Sequence, residues 1–416
     1  MGLAGLGQLA LFAFATGPGL AGTSDSEFYL HAATTLRTVG RLLNPDGTAY
    51  RYWPPLYPAL LALGGSLAAA RLLHSLALII SLFGWSWLGR RLLPVRVAAV
   101  LPWALALSTP WLVVSKFVWG ETVFLALFAG YACALLQWLR APQGRGWLLV
   151  TALGILLPLQ RTGGLFLLAG LAAGLFLERK ELLSQQRWPL VGHFAVSILA
   201  GLGWHYYALL VAAPGLPPRI RGWAQVGSSL ADYGFVLSRW LLPGRAAWRP
   251  ELPGLWVLGL VLGLIWLWPR RSAAPGEAGA PELRPLAPWA QPYGRVLWVG
   301  LTSFIILLII ATTFTRSASG LHDSERYASV LWAPVMLLAL SRVDWLSISR
   351  NQLWRWVGRL LVVGWLVYAA GRVGSNAISL RRLPVLTWPR PLAKFPLPAP
   401  TSAAPAVDPG IAPAVR

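Results

Sequence analysis

The chain has very little negative charge. Only 14 of its 416 residues are Asp or Glu, and charged residues of both signs make up 12%. Soluble domains carry about 25%, so a surface that meets water on every side is excluded. Cysteine is scarcer still: Cys133 stands alone, which rules out an internal disulfide. The HExxH, P-loop and GxSxG patterns are missing. So is any regular internal repeat, a feature many transporters show.

What fills the sequence is apolar. Hydrophobic residues make up 56%, and the mean hydropathy is +0.59. They fall in blocks near the length a bilayer requires, about 20 residues for a helix. These blocks run over 70–89, 94–114, 120–139, 163–177, 188–211, 253–268, 295–314, 328–341 and 355–372, with shorter ones at 2–22 and 147–159. The expectation is an all-α polytopic integral membrane protein of about eleven transmembrane helices, with no large soluble domain. Residues 2–22 lack the basic n-region of a secretory leader, which favours a retained first helix. Trp103, Trp111, Trp119, Trp138, Trp147, Trp188 and Trp268 lie near span ends and read as interfacial anchors. A membrane domain over 1–372 and a Pro-rich tail over 373–416 are expected. Residues 269–294 form a Pro/Ala/Gly-rich cytoplasmic linker.

The net charge of +21 does not point to nucleic acid. Its basic residues are scattered through short loops, as the positive-inside bias requires. Segments 89–96, 140–146, 178–187, 269–295 and 342–359 are basic and, with eleven crossings, share the cytoplasmic side. The first outer loop (23–69), a second large outer loop (212–252) and the loops at 115–119, 160–162 and 315–327 then face outward. These outer segments bring Asp25, Glu121, Arg161 and Arg326 to one interface. Ionisable groups at membrane depth are costly and usually functional.

Asp25 opens the stretch DSEFYLHAATTL, in which Tyr29, Ala32, Ala33 and Leu36 continue one helical face. Two readings fit here: Asp25 or Ser24 as a helix N-cap, or Asp25 as a general base. Further on, YRYWPPLYP holds Arg51 and Tyr57 among prolines that lead an extended segment into a helix. It serves either as a stiff re-entry into the membrane or as an aromatic wall for a sugar or lipid, with Arg51 near phosphate.

The two stretches together resemble the first outer loop of GT-C membrane glycosyltransferases. The nearest patterns are those of bacterial relatives of the protein O-mannosyltransferases (glycosyltransferase family 39) and of the lipid A aminoarabinose transferases. That loop starts on an acid, continues with a Tyr and small residues, and closes on Pro-Pro-Leu-Tyr-Pro. Ser26 departs from the usual second acid and Glu27 lies one place later, so Asp25 is the residue carried over. Three later segments extend the likeness: SKFVWGETVFLAL with Glu121, LLPLQRTGG with Arg161, and HDSERYASVLWAPVMLLAL with Arg326 and Tyr327.

The resemblance implies an inverting transferase that moves a sugar from a polyprenyl-phosphate donor to a lipid, glycan or protein acceptor. The site would face the exterior of a bacterial plasma membrane, among membrane lipids. Asp25 and Glu121 would be catalytic; Arg161, Arg326, Tyr327, Tyr29, Arg51 and Tyr57 would bind substrate. No cofactor is implied with certainty. His322, Asp323 and Glu325 admit a divalent metal without requiring one.

Structural readings stand beside these. Glu121 could pair with Lys116, Arg161 could snorkel to headgroups, and Arg326 could be bridged by Asp323 or Glu325. His31, His74, His193 and His205 read as packing or interface residues. In 212–252, Val226, Leu230, Tyr233, Val236, Leu237 and Trp240 approximate one helical face, an interfacial helix beside the lipid path. A lipid-linked oligosaccharide ligase or polymerase, and a polytopic lipid or sugar transporter, are the rival functions.

Overall fold

A computed structural model describes residues 1–178, 187–212, 225–241, 290–314, 321–348 and 352–388. In chain order these form α1 (Gly2–Ala15), α2 (Ser24–Val39), α3 (Leu56–Gly64), α4 (Leu67–Leu92), α5 (Val95–Ala98), α6 (Leu101–Ala106), α7 (Thr109–Lys116) and α8 (Glu121–Arg140). There follow α9 (Gly144–Gln160), α10 (Gly163–Leu177), α11 (Arg187–Tyr206, extended by a π-turn to Val211) and α12 (Gln225–Leu241). The last are α13 (Ala290–Phe314), α14 (Leu321–Ala328), α15 (Trp332–Ile348) and α16 (Gln352–Arg381). Among the described residues β-pairing is limited to two isolated bridges. Six helical stretches there are long and apolar enough to cross a membrane by length and composition. The protein is an all-α, multi-pass membrane protein. Ten of the eleven apolar blocks coincide with described helices; the eleventh, 253–268, and most of the linker lie outside the described residues.

Proline placement explains the least regular of these spans. The apolar block 94–114 is broken into α5, α6 and α7, with Pro94 just before α5, and Pro102 and Pro110 in the first turns of α6 and α7. Proline is tolerated in a first turn and disruptive further in. The Ser108 hydroxyl caps α7, accepting from the Trp111 N–H at 3.2 Å. Glycine lets other helices close up. A Cβ on Gly170 of α10 would come within 2.7 Å of the Gly300 carbonyl of α13, so the two helices meet backbone to backbone.

Two expectations about extent and one about the tryptophans change. Helix α13 begins at Ala290, inside the expected linker. The expected tail boundary at 373 falls within α16, which runs on through Arg381. Val373, Ala377 and Leu380 lie one helical turn apart and are buried, so the core continues past the boundary. The chain then folds back: the Leu386 N–H donates to Leu20 O at 2.9 Å, and Trp388 Nε1 to Thr34 Oγ1 at 3.0 Å. Finally, Trp111, Trp119 and Trp138 are core residues rather than anchors, whereas Trp103 and Trp188 are exposed.

Candidate active site

Placement of Asp25 starts at the end of α1. Lys116, fully buried, donates from Nζ to Ala15 O at 3.0 Å and Gly19 O at 2.8 Å. A cation there complements the carbonyl end of α1 and docks the turn after it against α7. The Ala21 N–H then donates to Lys116 O at 2.9 Å and the Val118 N–H to Ala21 O at 3.0 Å. Lys116 is therefore not the partner of Glu121. Helix α2 is capped at Thr23, not at Ser24 or Asp25: Ser26 Oγ accepts from the Thr23 N–H at 3.0 Å. Asp25 stands in the first turn with its carboxylate left for other work.

Glu121 opens α8, and Arg161 occupies the turn between α9 and α10. That turn is tight. The Arg161 N–H donates to Leu157 O at 3.1 Å and the Gly164 N–H to Arg161 O at 2.8 Å. A Cβ on Gly164 would come within 2.4 Å of the Leu157 carbonyl carbon. Helix α14 supplies Arg326 and Tyr327.

The four ionised side chains meet. Arg326 Nη1 donates to Asp25 Oδ2 at 2.5 Å, and Arg326 Nε donates to Glu121 Oε1. Arg161 Nη1 stands 2.6 Å from that same Glu121 oxygen as an ion pair, without the angles of a hydrogen bond. The Arg326 guanidinium lies 4.3 Å over the Trp119 ring, and Trp119 Nε1 donates to Thr23 Oγ1 at 2.9 Å. The indole thus braces both the cation and the start of α2. Burial alone lowers the pKa of Arg326, but Glu121, Tyr29 and Asp25 together hold it above the ordinary guanidinium value. It stays charged.

Access separates the two carboxylates. The Glu121 side chain is 1% exposed and that of Asp25 22% exposed. Three buried atoms of the cluster lack a hydrogen-bond partner: Arg161 Nη1, Arg326 Nη2 and Glu121 Oε2. Unpaired buried polar groups are costly, and guanidinium donors match the oxygens of a phosphate.

A cavity of about 440 Å³ opens beside the cluster. Its polar wall holds Glu121, Gln160, Arg161, Thr162, His205 and Tyr327; Tyr29, Tyr52 and Trp53 add aromatic rings; Phe124, Phe166, Phe304 and Leu308 make an oily side. Tyr29 is buried, which pushes its phenol well above its ordinary pKa against the pull of Arg161 and Arg326. Its ring is part of the cavity wall, and its phenol stays protonated.

Other expected residues fall elsewhere. Arg51 donates from Nη1 to Ala212 O at 3.1 Å and lies over Tyr52, tying the first loop to the end of α11 rather than joining the cluster. Tyr57 is fully buried: its hydroxyl donates to His74 Nε2 at 2.8 Å, since His74 Nδ1–H is spent on Ser115 O. It supports Tyr29 edge-on from behind. Arg326 is not bridged by Glu325, which pairs instead with Arg239 at 3.3 Å. The side chains of His322 and Asp323 lie outside the described residues, and among the described residues no group of three His, Cys, Asp or Glu could hold a metal. His205 lines the cavity rather than merely packing. The helix expected in 212–252 is α12, with Tyr233, Val236 and Trp240 buried; Leu237 lies outside the described side chains. Gln160 was not singled out by pattern, and Trp119 was read as an interfacial anchor rather than as the ring under Arg326. The one signal for Gln160 was a polar side chain at an apolar span's end.

No family model and no curated relative matches the sequence. Solved structures do. The chain is similar to ArnT from Cupriavidus metallidurans bound to undecaprenyl phosphate, with TM-score 0.54 and 14% identity over 91% of this chain and 74% of that one. It is also similar to the Archaeoglobus fulgidus oligosaccharyltransferase in complex with Zn and sulfate, with TM-score 0.52 and 15% identity over 90% of this chain. It spans 52% of that second chain, about half its length. These likenesses show the fold, which is the GT-C fold expected from the first-loop resemblance.

Proposed function

We propose that the chain is a membrane glycosyltransferase that moves a sugar from a polyprenyl-phosphate donor to a lipid, glycan or protein acceptor. We place the site at the outer face of a bacterial plasma membrane. One observation carries this reading: Asp25, Glu121, Arg161 and Arg326, drawn from four separate segments, form one ion cluster at the edge of a half-apolar cavity. A lipid-linked anionic sugar needs such a combination, because an oily chain, a phosphate and hydroxyls must be held together. The ligand named with the ArnT structure, undecaprenyl phosphate, is of the same chemical kind.

Asp25 is assigned as the base. It is the more accessible carboxylate, and Arg326 Nη1, which donates to it, can turn to a phosphate oxygen in its place. The acceptor hydroxyl gives its proton to Asp25 as its oxygen bonds to the anomeric carbon. The bond from that carbon to the phosphate oxygen breaks on the opposite face, with inversion. Arg161 and Arg326 stabilise the charge that collects on the departing polyprenyl phosphate. Glu121, buried between the arginines, orients them. A transporter would place ionisable groups near the bilayer midplane; here the cluster sits at helix ends.

The test is release of polyprenyl phosphate from a panel of lipid-linked sugars by the reconstituted protein. Asp25→Asn is expected to fold with an unchanged melting temperature and to lose at least about 100-fold in turnover. Turnover by that variant at the wild-type rate would falsify the assignment.

A further inference from the structure

Gln160 ends α9 and is 2% exposed. Its amide is divided between two tasks. Nε2 donates to Gly120 O at 2.8 Å, the carbonyl just before Glu121. That carbonyl can only accept, so the amide nitrogen must face it, and the orientation of the amide follows from chemistry. Oε1 is therefore on the other side, where it is buried and accepts no hydrogen bond. The same side chain lines the cavity beside Arg161 and Thr162.

The unpartnered buried atoms of Gln160 and of the ion cluster sort by type. Arg326 Nη2 is a donor without a partner, and Arg161 Nη1 has only the Glu121 oxygen beside it, without hydrogen-bond angles; both suit an anion. Gln160 Oε1 and Glu121 Oε2 are acceptors and call for hydrogen-bond donors. A bare lipid phosphate, with its oxygens all accepting, satisfies only the first pair. A sugar attached to that phosphate brings hydroxyl donors for the second.

We propose that Gln160 is a specificity-determining residue for the transferase reaction, its Oε1 accepting a hydrogen bond from a ring hydroxyl of the donor sugar. The proposal rests on the transferase reading and extends it to the substrate. The sugar carries a free hydroxyl where it passes the end of α9, and analogues without that hydroxyl leave a buried acceptor unpaired. The amide's second bond, to Gly120, makes the reader of the sugar rigid and links it to the residue before Glu121.

The experiment uses the full-length protein in liposomes, with the best donor from the lipid-linked panel and analogues of it lacking one ring hydroxyl each. Wild type is expected to prefer the parent donor over one deoxy analogue by roughly tenfold in kcat/KM. In Gln160→Met, which keeps the volume without hydrogen-bonding groups, that single preference collapses towards one while the others persist. Gln160→Asn, which withdraws the amide by one methylene, serves the same comparison should the Met variant fail to fold. A strut for Gly120 would lower every donor alike; uniform loss overturns the proposal. Equal use of all analogues by wild type also overturns it, since Oε1 then meets only water. Release of polyprenyl phosphate from no donor at all overturns the transferase reading itself, and the proposal with it.

Discussion

Glu121 holds the cluster together through one oxygen. Oε1 receives Arg326 Nε and faces Arg161 Nη1 at 2.6 Å. Removing one partner from a buried ion pair costs about 3–5 kcal/mol, because the remaining charge is left without compensation. Glu121→Gln leaves two arginines against a neutral amide, so its melting temperature in detergent is expected to fall markedly, unlike that of Asp25→Asn. Arg326→Lys is not conservative here. A lysine cannot reach Asp25 and Glu121 together as the planar fork does, and activity is expected to drop at least about tenfold with little change in expression. Lys116 is the residue that pattern misread most plainly. The five-residue separation from Glu121 suggested a pair, yet its ammonium is consumed by two carbonyls at the end of α1. Lys116→Met strands those carbonyls, at a cost of about 1–3 kcal/mol, visible as reduced thermal stability.

At the scale of elements, the site depends on turns rather than on long helices. Arg161 is delivered by the short α9–α10 connection, which closes only because Gly164 has no side chain. Gly164→Ala forces the Leu157 backbone aside. Overpacking of this kind costs about 1–3 kcal/mol, and donor KM is expected to rise as Arg161 moves. The helix starts were partly legible: Pro94, Pro102 and Pro110 mark the breaks of α5–α7, and the acidic opening of α2 marks its first turn. The choice of Thr23 as cap was not, because Thr23, Ser24 and Asp25 are all capable caps. Ser26 Oγ accepts from the Thr23 N–H, and the Trp119 indole adds a bond to the Thr23 hydroxyl from another segment. The return of 383–388 onto α2 and the connection before it was equally invisible, since two hydrogen bonds across more than 350 residues leave no local pattern. Trp388→Ala is expected to cost about 1–2 kcal/mol, below the 3–5 kcal/mol of a fully buried aromatic, measurable by thermal unfolding.

For the molecule as a whole, the cluster makes ligand and stability inseparable. Two arginine donors and one carboxylate oxygen are buried without hydrogen-bond partners, so an anion that pairs the donors should stabilise the fold. At 100 times its dissociation constant a ligand adds about 2.7 kcal/mol. Polyprenyl phosphate is expected to raise the melting temperature of wild type, and to leave that of an Arg161→Met, Arg326→Met double variant unmoved.

Membrane class, helical content, the face shared by Tyr29, Ala32 and Ala33, and the gathering of four ionisable residues could all be read from the chain alone. Each is a local sum of hydropathy, period or loop charge, and such sums are written along a sequence. Which cation meets which carboxylate was not written there. Among the partners open to Glu121 and Arg326, packing brought some within about 3 Å and held others away, so Glu325 went to Arg239 and Lys116 to α1; Arg51, expected near phosphate, went to the end of α11. A charge at short range answers to distance in space, and that distance is set only once the helices have packed.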